Sequence, residues 1–170
     1  MAVTAPFAAS LYRLPSCELQ ALHEAQVARV LGELLAAMEP WSTLGYTAVG
    51  LQRYLLRPET TLYRHVIVVQ GEMAGVVCTR YPWLRGVCLE LLGLAATFQN
   101  GGRGRDIMQW IEEQTSPQSP NVWVLVSAFN SRARLFYARQ GYMAVGTLND
   151  FVRPGYDEIL LRKVLQKTSW

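Results

Sequence analysis

The chain has 170 residues, 51% hydrophobic and 17% charged. That is enough apolar surface for one core, read as a single domain over 1–170, and too much for a disordered chain. Sixteen basic and 13 acidic residues leave a net charge of +3, dispersed along the chain, which argues against nucleic acid as a partner. No apolar run approaches the roughly 20 residues of a membrane helix, and no secretory leader is expected. Three cysteines, Cys17, Cys78 and Cys88, lack metal-ligand spacing and fit a reduced, cytoplasmic protein that holds no metal.

Residues 7–14 read as a first strand. Over 18–38, apolar residues fall at Leu19, Leu22, Val30, Leu31, Leu34, Leu35 and Met38, the spacing of a helix that Pro40 ends. Residues 39–46 read as a loop holding Trp41 and Gly45, and 48–56 as a shorter helix stopping before Pro58. Strands over 62–70 and 73–80 flank a Gly71-Glu72 turn of the hairpin type. Gly86 precedes a third strand over 87–95. A Gly-rich turn, 99–104, opens a helix with Ile107, Met108 and Ile111 on its apolar side, and Pro117 and Pro120 mark its exit. A strand over 122–127 follows, then a helix capped by Asn130 and stopped by Gly141. Strands over 143–148 and 158–164 flank a turn at Pro154 and Gly155. The order is β-α-α-β-β-β-α-β-α-β-β. Hairpins beside strand–helix–strand units predict an α/β (α+β) domain with a mixed sheet.

Two segments carry chemistry. In Gln99-Asn100-Gly101-Gly102-Arg103-Gly104, an apolar strand turns into an amphipathic helix. The first N–H groups of a helix have no internal partners and sit at the positive end of its dipole, and glycines let a phosphate approach the backbone. With Arg103 and Arg105 nearby, the turn reads as a pyrophosphate cradle or as a flexible helix start. A Walker loop is excluded, because no lysine precedes Lys163; a dinucleotide fingerprint is excluded by Ile107 where a small residue is required. The second segment is Asn130-Ser-Arg-Ala133-Arg-Leu-Phe136-Tyr137-Ala-Arg-Gln-Gly141-Tyr142, with Ala133, Phe136, Tyr137 and Gln140 on one helical face.

Together these segments resemble the signature of the GNAT superfamily of acetyl-CoA-dependent N-acyltransferases. Gln99, Gly102 and Gly104 match its Gln/Arg-x-x-Gly-x-Gly/Ala loop. The 130–142 segment matches its Asn-x-x-Ala-x-x-Phe-Tyr-x-x-x-Gly-Phe/Tyr run. The stretches 39–45, 119–122, 127–130 and 150–163 look like a narrower bacterial and archaeal group of general GNAT acetyltransferases with no assigned substrate.

The resemblance implies acetyl-CoA as co-substrate, held where parallel strands 87–95 and 122–127 splay apart. Its pantetheine would bond the backbone of Leu92 and Leu94, with Gly93 suited to a bulge, and the Leu94 N–H would meet the thioester oxygen. The pyrophosphate would rest on Gln99, Asn100, Gly101, Gly102, Arg103, Gly104 and Arg105. Asn130 would bond the pantetheine or cap its helix. Tyr137 matches the acid that protonates the departing thiolate, or packs against the cofactor. Glu90, a lone carboxylate in an apolar strand, is a base acting through water or one half of a salt bridge. His23, His65 and Cys88 read more simply as structural side chains, and Arg132, Arg134 and Arg139 as a solvated face or a site for the 3′-phosphate.

The expected acceptor is a small-molecule amine or a peptide N-terminus. It would enter between residues 39–46, with Trp41 and Tyr46, and 149–156, with Asp150, Phe151 and Tyr156, since aromatic walls and carboxylates suit a cationic amine. The alternative is a non-catalytic acyl-CoA sensor or regulatory module. The last strands, with 159–161 and Trp170, are compatible with a homodimer.

Overall fold

The computed structural model describes residues 5–165; Trp170 lies outside them. The described residues form one mixed eight-stranded sheet with five α-helices. The elements are β1 (Leu11–Arg13), β2 (Glu18–Ala21), α1 (Ala25–Ala36), α2 (Trp41–Leu44), α3 (Ala48–Leu56), β3 (Leu62–Val69), β4 (Glu72–Trp83), β5 (Gly86–Leu94), α4 (Arg103–Thr115), β6 (Asn121–Ser127), α5 (Ser131–Arg139), β7 (Met143–Arg153) and β8 (Tyr156–Val164). The sheet order is β1-β2-β3-β4-β5-β6-β8-β7. Among these strands only β5 and β6 pair in parallel; every other neighbour is antiparallel.

Helices cover both faces. Leu31, Leu35, Leu51 and Leu55 of α1 and α3 pack on Val66, Val76, Cys78 and Leu91. On the other face Ile107, Met108 and Ile111 of α4 meet Leu19, Ile67, Val87, Leu89, Val122 and Val124. Alternate residues of the central strands therefore serve two separate cores, which is why those strands read as nearly continuous apolar runs.

Four of these elements differ from the sequence reading. The first strand shrinks to β1, and the expected helix over 18–38 is shorter at both ends. Residues 18–21 form β2 instead, paired with β1 and with β3. Leu19, with no exposed surface, belongs to the sheet core beside Ile67, and the Leu14 N–H donates to the Cys17 carbonyl to close the hairpin. One apolar residue of two fits alternation as well as helical spacing, so tertiary pairing decides. The loop over 39–46 contains the one-turn helix α2, closed by Gly45 at φ +78°. The last hairpin is also longer than expected, since β7 runs on to Arg153 with a register shift after Leu148.

The decisive irregularity lies in β5. Thr79 of β4 faces Leu89 and Cys78 faces Leu91, so Glu90 is the extra residue of a β-bulge. The bulge expected at Gly93 is thus at Glu90. Gly93 pairs regularly with Val76, and its lack of a side chain serves close packing: a Cβ there would lie 2.4 Å from Leu35 Cδ2 and 3.4 Å from Trp41 Cη2. Gly93→Ala should therefore destabilise the protein by about 1–3 kcal/mol, because buried Leu35 has little room to yield. Gly146→Ala, whose Cβ would meet nothing within 4 Å, serves as the control. Urea titrations that place both variants at the same midpoint would show that the Gly93 contact imposes no constraint.

Candidate active site

The bulge opens the sheet. Pairing between β5 and β6 runs from Gly86–Asn121 to Leu89–Val124 and then stops, although β5 continues to Leu94 and β6 to Ser127. Beyond Glu90, β5 keeps its bonds to β4, and the Ala95 N–H donates to the Ala74 carbonyl at 2.8 Å. In an antiparallel ladder alternate residues point their N–H and C=O groups to opposite sides. Gly93 and Ala95 face β4, so the backbone groups of Leu92 and Leu94 face the gap that β6 has left. Gln99 Nε2 donates to the Leu94 carbonyl at 2.8 Å and ties the following turn to this edge.

A cleft of about 480 Å³ occupies the gap; Leu92, Leu125, Ser127, Asn130, Ala133 and Tyr137 line it together with Trp41, Tyr46, Tyr54, Glu90, Phe151 and Glu158. The fold thus brings together Tyr137, Asn130, Leu92 and Glu90 with three of the expected acceptor residues, Trp41, Tyr46 and Phe151. Two others stand outside the lining. The Asp150 carboxylate accepts the Gly155 N–H within the β7–β8 turn, and Tyr156 packs between Arg153 (4.6 Å) and Phe129 (5.7 Å). Arg153 also donates to the Thr43 carbonyl, holding this turn against α2.

The turn between β5 and α4 has the backbone of an anion site. Gly102, at φ +76°, is the N-cap and offers no capping side chain, so the first α4 N–H groups remain open. Arg103 folds inward, its Nη1 donating to the Phe98 carbonyl at 3.0 Å. A Cβ on Gly101 would strike that guanidinium at 2.0 Å, and one on Gly104 would come within 3.1 Å of the Phe136 ring. Arg105 projects outward with 68% of its side chain exposed, and Arg132 Nη2 donates to Asn100 Oδ1, joining α5 to the turn. Arg134 Nη1 donates to the Ala128 carbonyl. The Asn130 side-chain oxygen caps α5 by accepting the Ala133 N–H at 3.1 Å.

Tyr137 is 8% exposed, and its hydroxyl has no hydrogen-bond partner among the described residues. Burial pushes its pKa upward, with Cys88 adding to the shift. Burial also pushes the Cys88 thiol up to about 12. Glu90 is held by two neighbours: Arg80 Nε ion-pairs with its Oε1, and the Tyr54 hydroxyl donates to Oε2 at 2.7 Å. Glu59 grips the other side of Arg80, whose pKa rises mainly through its bond to Glu90. The bulged residue is therefore clamped to both β4 and α3.

The two histidines stand apart from this cleft. Buried His65 bonds the Ala9 carbonyl and stacks edge-on with Trp110, and His23 is exposed ahead of α1. Among the described residues no group of three or more His, Cys, Asp or Glu could hold a metal, and no helix is long and apolar enough to cross a membrane. Sequence reasoning missed Ser127 and Glu158 as cleft residues. Glu158 opens an apolar strand, where a charged flank is ordinary, and only the β6–β8 register brings it opposite Ser127.

Residues 20–142 match the family model of the acetyltransferase (GNAT) family, so the chain belongs to that family. No curated protein matches it. Among solved structures, an acetyltransferase from Thermus thermophilus superposes with a TM-score of 0.70 at 17% identity, over 91% of this chain and 100% of the other. The ribosomal-protein-S18-alanine N-acetyltransferase of Escherichia coli gives 0.67 at 15% identity, over 89% and 95%. A Salmonella typhimurium acetyltransferase that modifies the N-terminal serine of ribosomal protein L7/L12 gives 0.70 at 15% identity, over 89% and 96%. At these identities the likeness concerns the fold.

Cutting the clamp tests its part in opening the sheet. Glu90→Ala should cost about 1–2 kcal/mol, a figure held down by partial solvation of the pair. It should couple to Arg80→Met in a double-mutant cycle read by chemical denaturation. Additive effects would mean that the two side chains act independently.

Proposed function

We propose that the protein transfers an acetyl group from acetyl-CoA directly to a primary amine of a small molecule or a peptide N-terminus, within a ternary complex. The observation that carries this reading is the gap after Leu89–Val124, with unpaired backbone on one wall and the Tyr137 hydroxyl in its lining. The available groups fit acetyl-CoA. Leu92 and the Leu94 N–H offer the backbone of an open strand edge, and the α4 N-terminus, with Gln99–Arg105, offers uncapped N–H groups to the pyrophosphate. Arg105 and Arg132 add positive charge at the same end.

Acetyl-CoA supplies the activated acyl group when bound. The Leu94 N–H takes up the negative charge that develops on the carbonyl oxygen. Tyr137 gives its proton to the departing sulfur, and burial keeps the phenol protonated until then. Cys88 stays a thiol for the same reason, which favours direct attack over an acyl-cysteine route. Glu90 acts by holding the bulge rather than as a free base, since both of its oxygens have protein partners. Trp41, Tyr46 and Phe151 form the acceptor end. A peptide N-terminus as acceptor draws support from the fold neighbours that modify ribosomal proteins. Three buried, free cysteines fit a reducing compartment such as the cytoplasm.

Tyr137→Phe should lower kcat about 100-fold while changing the CoA dissociation constant less than threefold, because the ring is kept and only the hydroxyl is lost. Unchanged single-turnover rates would reduce Tyr137 to a packing residue. Phe151, 57% exposed, contributes little to the core. Phe151→Ala should raise the acceptor KM several-fold and leave thermal stability and CoA binding intact. Equal losses at both substrates would displace Phe151 from the acceptor end.

A further inference from the structure

One carboxylate of the cleft has no task in the chemistry above. Glu158 lies in β8, opposite Ser127 of β6 and Leu148 of β7. It is 6% exposed. The Ser127 hydroxyl donates to its Oε1 at 2.5 Å. Its Oε2 takes no hydrogen bond from the described residues, yet it is not among the buried polar atoms sealed without a partner. Because Glu158 lines the cleft, that oxygen opens into it.

The neighbouring acids are already engaged. Glu90 is bound by Arg80 and Tyr54. Asp157 accepts the Asp150 N–H on Oδ1 and the Asn149 amide on Oδ2. Around Glu158 stand the Ser127 hydroxyl from β6, apolar Leu148 from β7 and the Tyr46 phenol from the α2–α3 connection. Tyr137 and Asn130 line the same cleft, and none of these groups is a cation. The ion pairs found in the protein leave Glu158 without a basic partner among the described residues. A buried carboxylate without a cation is costly, and a ligand that supplies one relieves the cost.

We propose, resting on the acetyl-transfer reading, that Glu158 Oε2 receives the acceptor's primary ammonium and takes the proton that must leave before attack. The ligand class is a small amine whose cationic end fits beside Glu158 and whose apolar body lies along Trp41, Tyr46 and Phe151. Burial raises the Glu158 pKa, which brings this carboxylate closer to the working range of a base. The proton count closes. R–NH3+ gives one proton to Glu158, and the nitrogen lone pair forms the N–C bond at the thioester carbon. The C–S bond breaks, and sulfur leaves with its electron pair and takes the Tyr137 proton. The nitrogen's second proton restores Tyr137, and Glu158 releases its proton to water.

The test uses phenethylamine and its neutral twin 2-phenylethanol, titrated calorimetrically into the protein with and without CoA. The wild type should bind the amine at least tenfold more tightly than the alcohol. Glu158→Gln should abolish that preference, with alcohol and CoA affinities unchanged within twofold. Ser127→Ala, which frees the carboxylate to swing, should weaken the amine about threefold, and Glu158→Asp should restore part of the preference. In acetyl transfer to phenethylamine, Glu158→Gln should move the acid limb of kcat/KM at least one pH unit upward, since the amine must then shed its proton unaided. Equal amine binding by wild type and Glu158→Gln overturns the proposal. A wild type that holds the amine beside acetyl-CoA but transfers nothing overturns the proton-accepting role of Glu158. Failure to bind CoA, with amine preference intact in the free protein, would instead overturn the acetyl-CoA reading and leave the cation site standing.

Discussion

A single extra residue in β5 organises the molecule. Up to Leu89, β5 satisfies its backbone with β4 on one side and β6 on the other. Glu90 then adds a residue that has no counterpart on β4, and the strand bends as it takes it up. The ladder to β4 resumes at Leu91, while the one to β6 does not resume. Buried backbone groups need partners, and open ones in mid-sheet are tolerated only where water or a ligand reaches them. The edge left open at Leu92 and at the Leu94 N–H is therefore a cost of the bulge and, on the proposed function, the start of a binding surface.

That cost is met by side chains around the bulge. Glu90 is fixed from two directions, by Arg80 of the adjacent strand and by Tyr54 of α3, and Glu59 holds Arg80 in turn. Further along, Gly93 lets Leu35 and Trp41 press against β5, so the same strand positions the α2 segment. Arg153 then reaches from the β7–β8 hairpin to the Thr43 carbonyl and ties the opposite wall to α2. The end of the cleft proposed for the acceptor is thus assembled from elements distant in sequence but linked through side chains and close packing to one bent strand.

The two segments proposed to hold acetyl-CoA are legible in the sequence because each is local. A Gly-rich turn followed by a helix, and an Asn cap followed by Phe136-Tyr137, are patterns within a dozen residues, and the strand that precedes the turn is apolar throughout most of its length. The helices around Leu31, Leu51 and Ile107 are likewise readable from their spacing. Residues 18–21 are not, because a single buried leucine fits either period until β3 is there to pair with it. The bulge could not be placed by composition. Gly93 invites it, but a bulge is a property of two strands in register, and Cys78 and Thr79 put it at Glu90. Glu158 escapes a sequence reading for the same reason: its partner Ser127 lies 31 residues away, and only strand pairing joins them.

The burial of groups that line the cleft bears on how charge must move through it. In water a phenol, with a pKa of about 10, is a weaker acid than a thiol at about 8.5, so handing its proton to a thiolate runs uphill by roughly 2 kcal/mol. Here burial raises both groups: Cys88, in the same lining, is pushed up to about 12, and Tyr137 is raised as well. The site penalises a thiolate and a phenolate alike, so neither anion is a resting point. A route in which Tyr137 passes a proton to sulfur while regaining one from the nitrogen avoids both, because no net charge persists on the tyrosine. Burial of Tyr137 is then compatible with the proposed proton transfer, where it would obstruct a lone ionisation, and the same burial that packs α5 against the sheet keeps the phenol protonated.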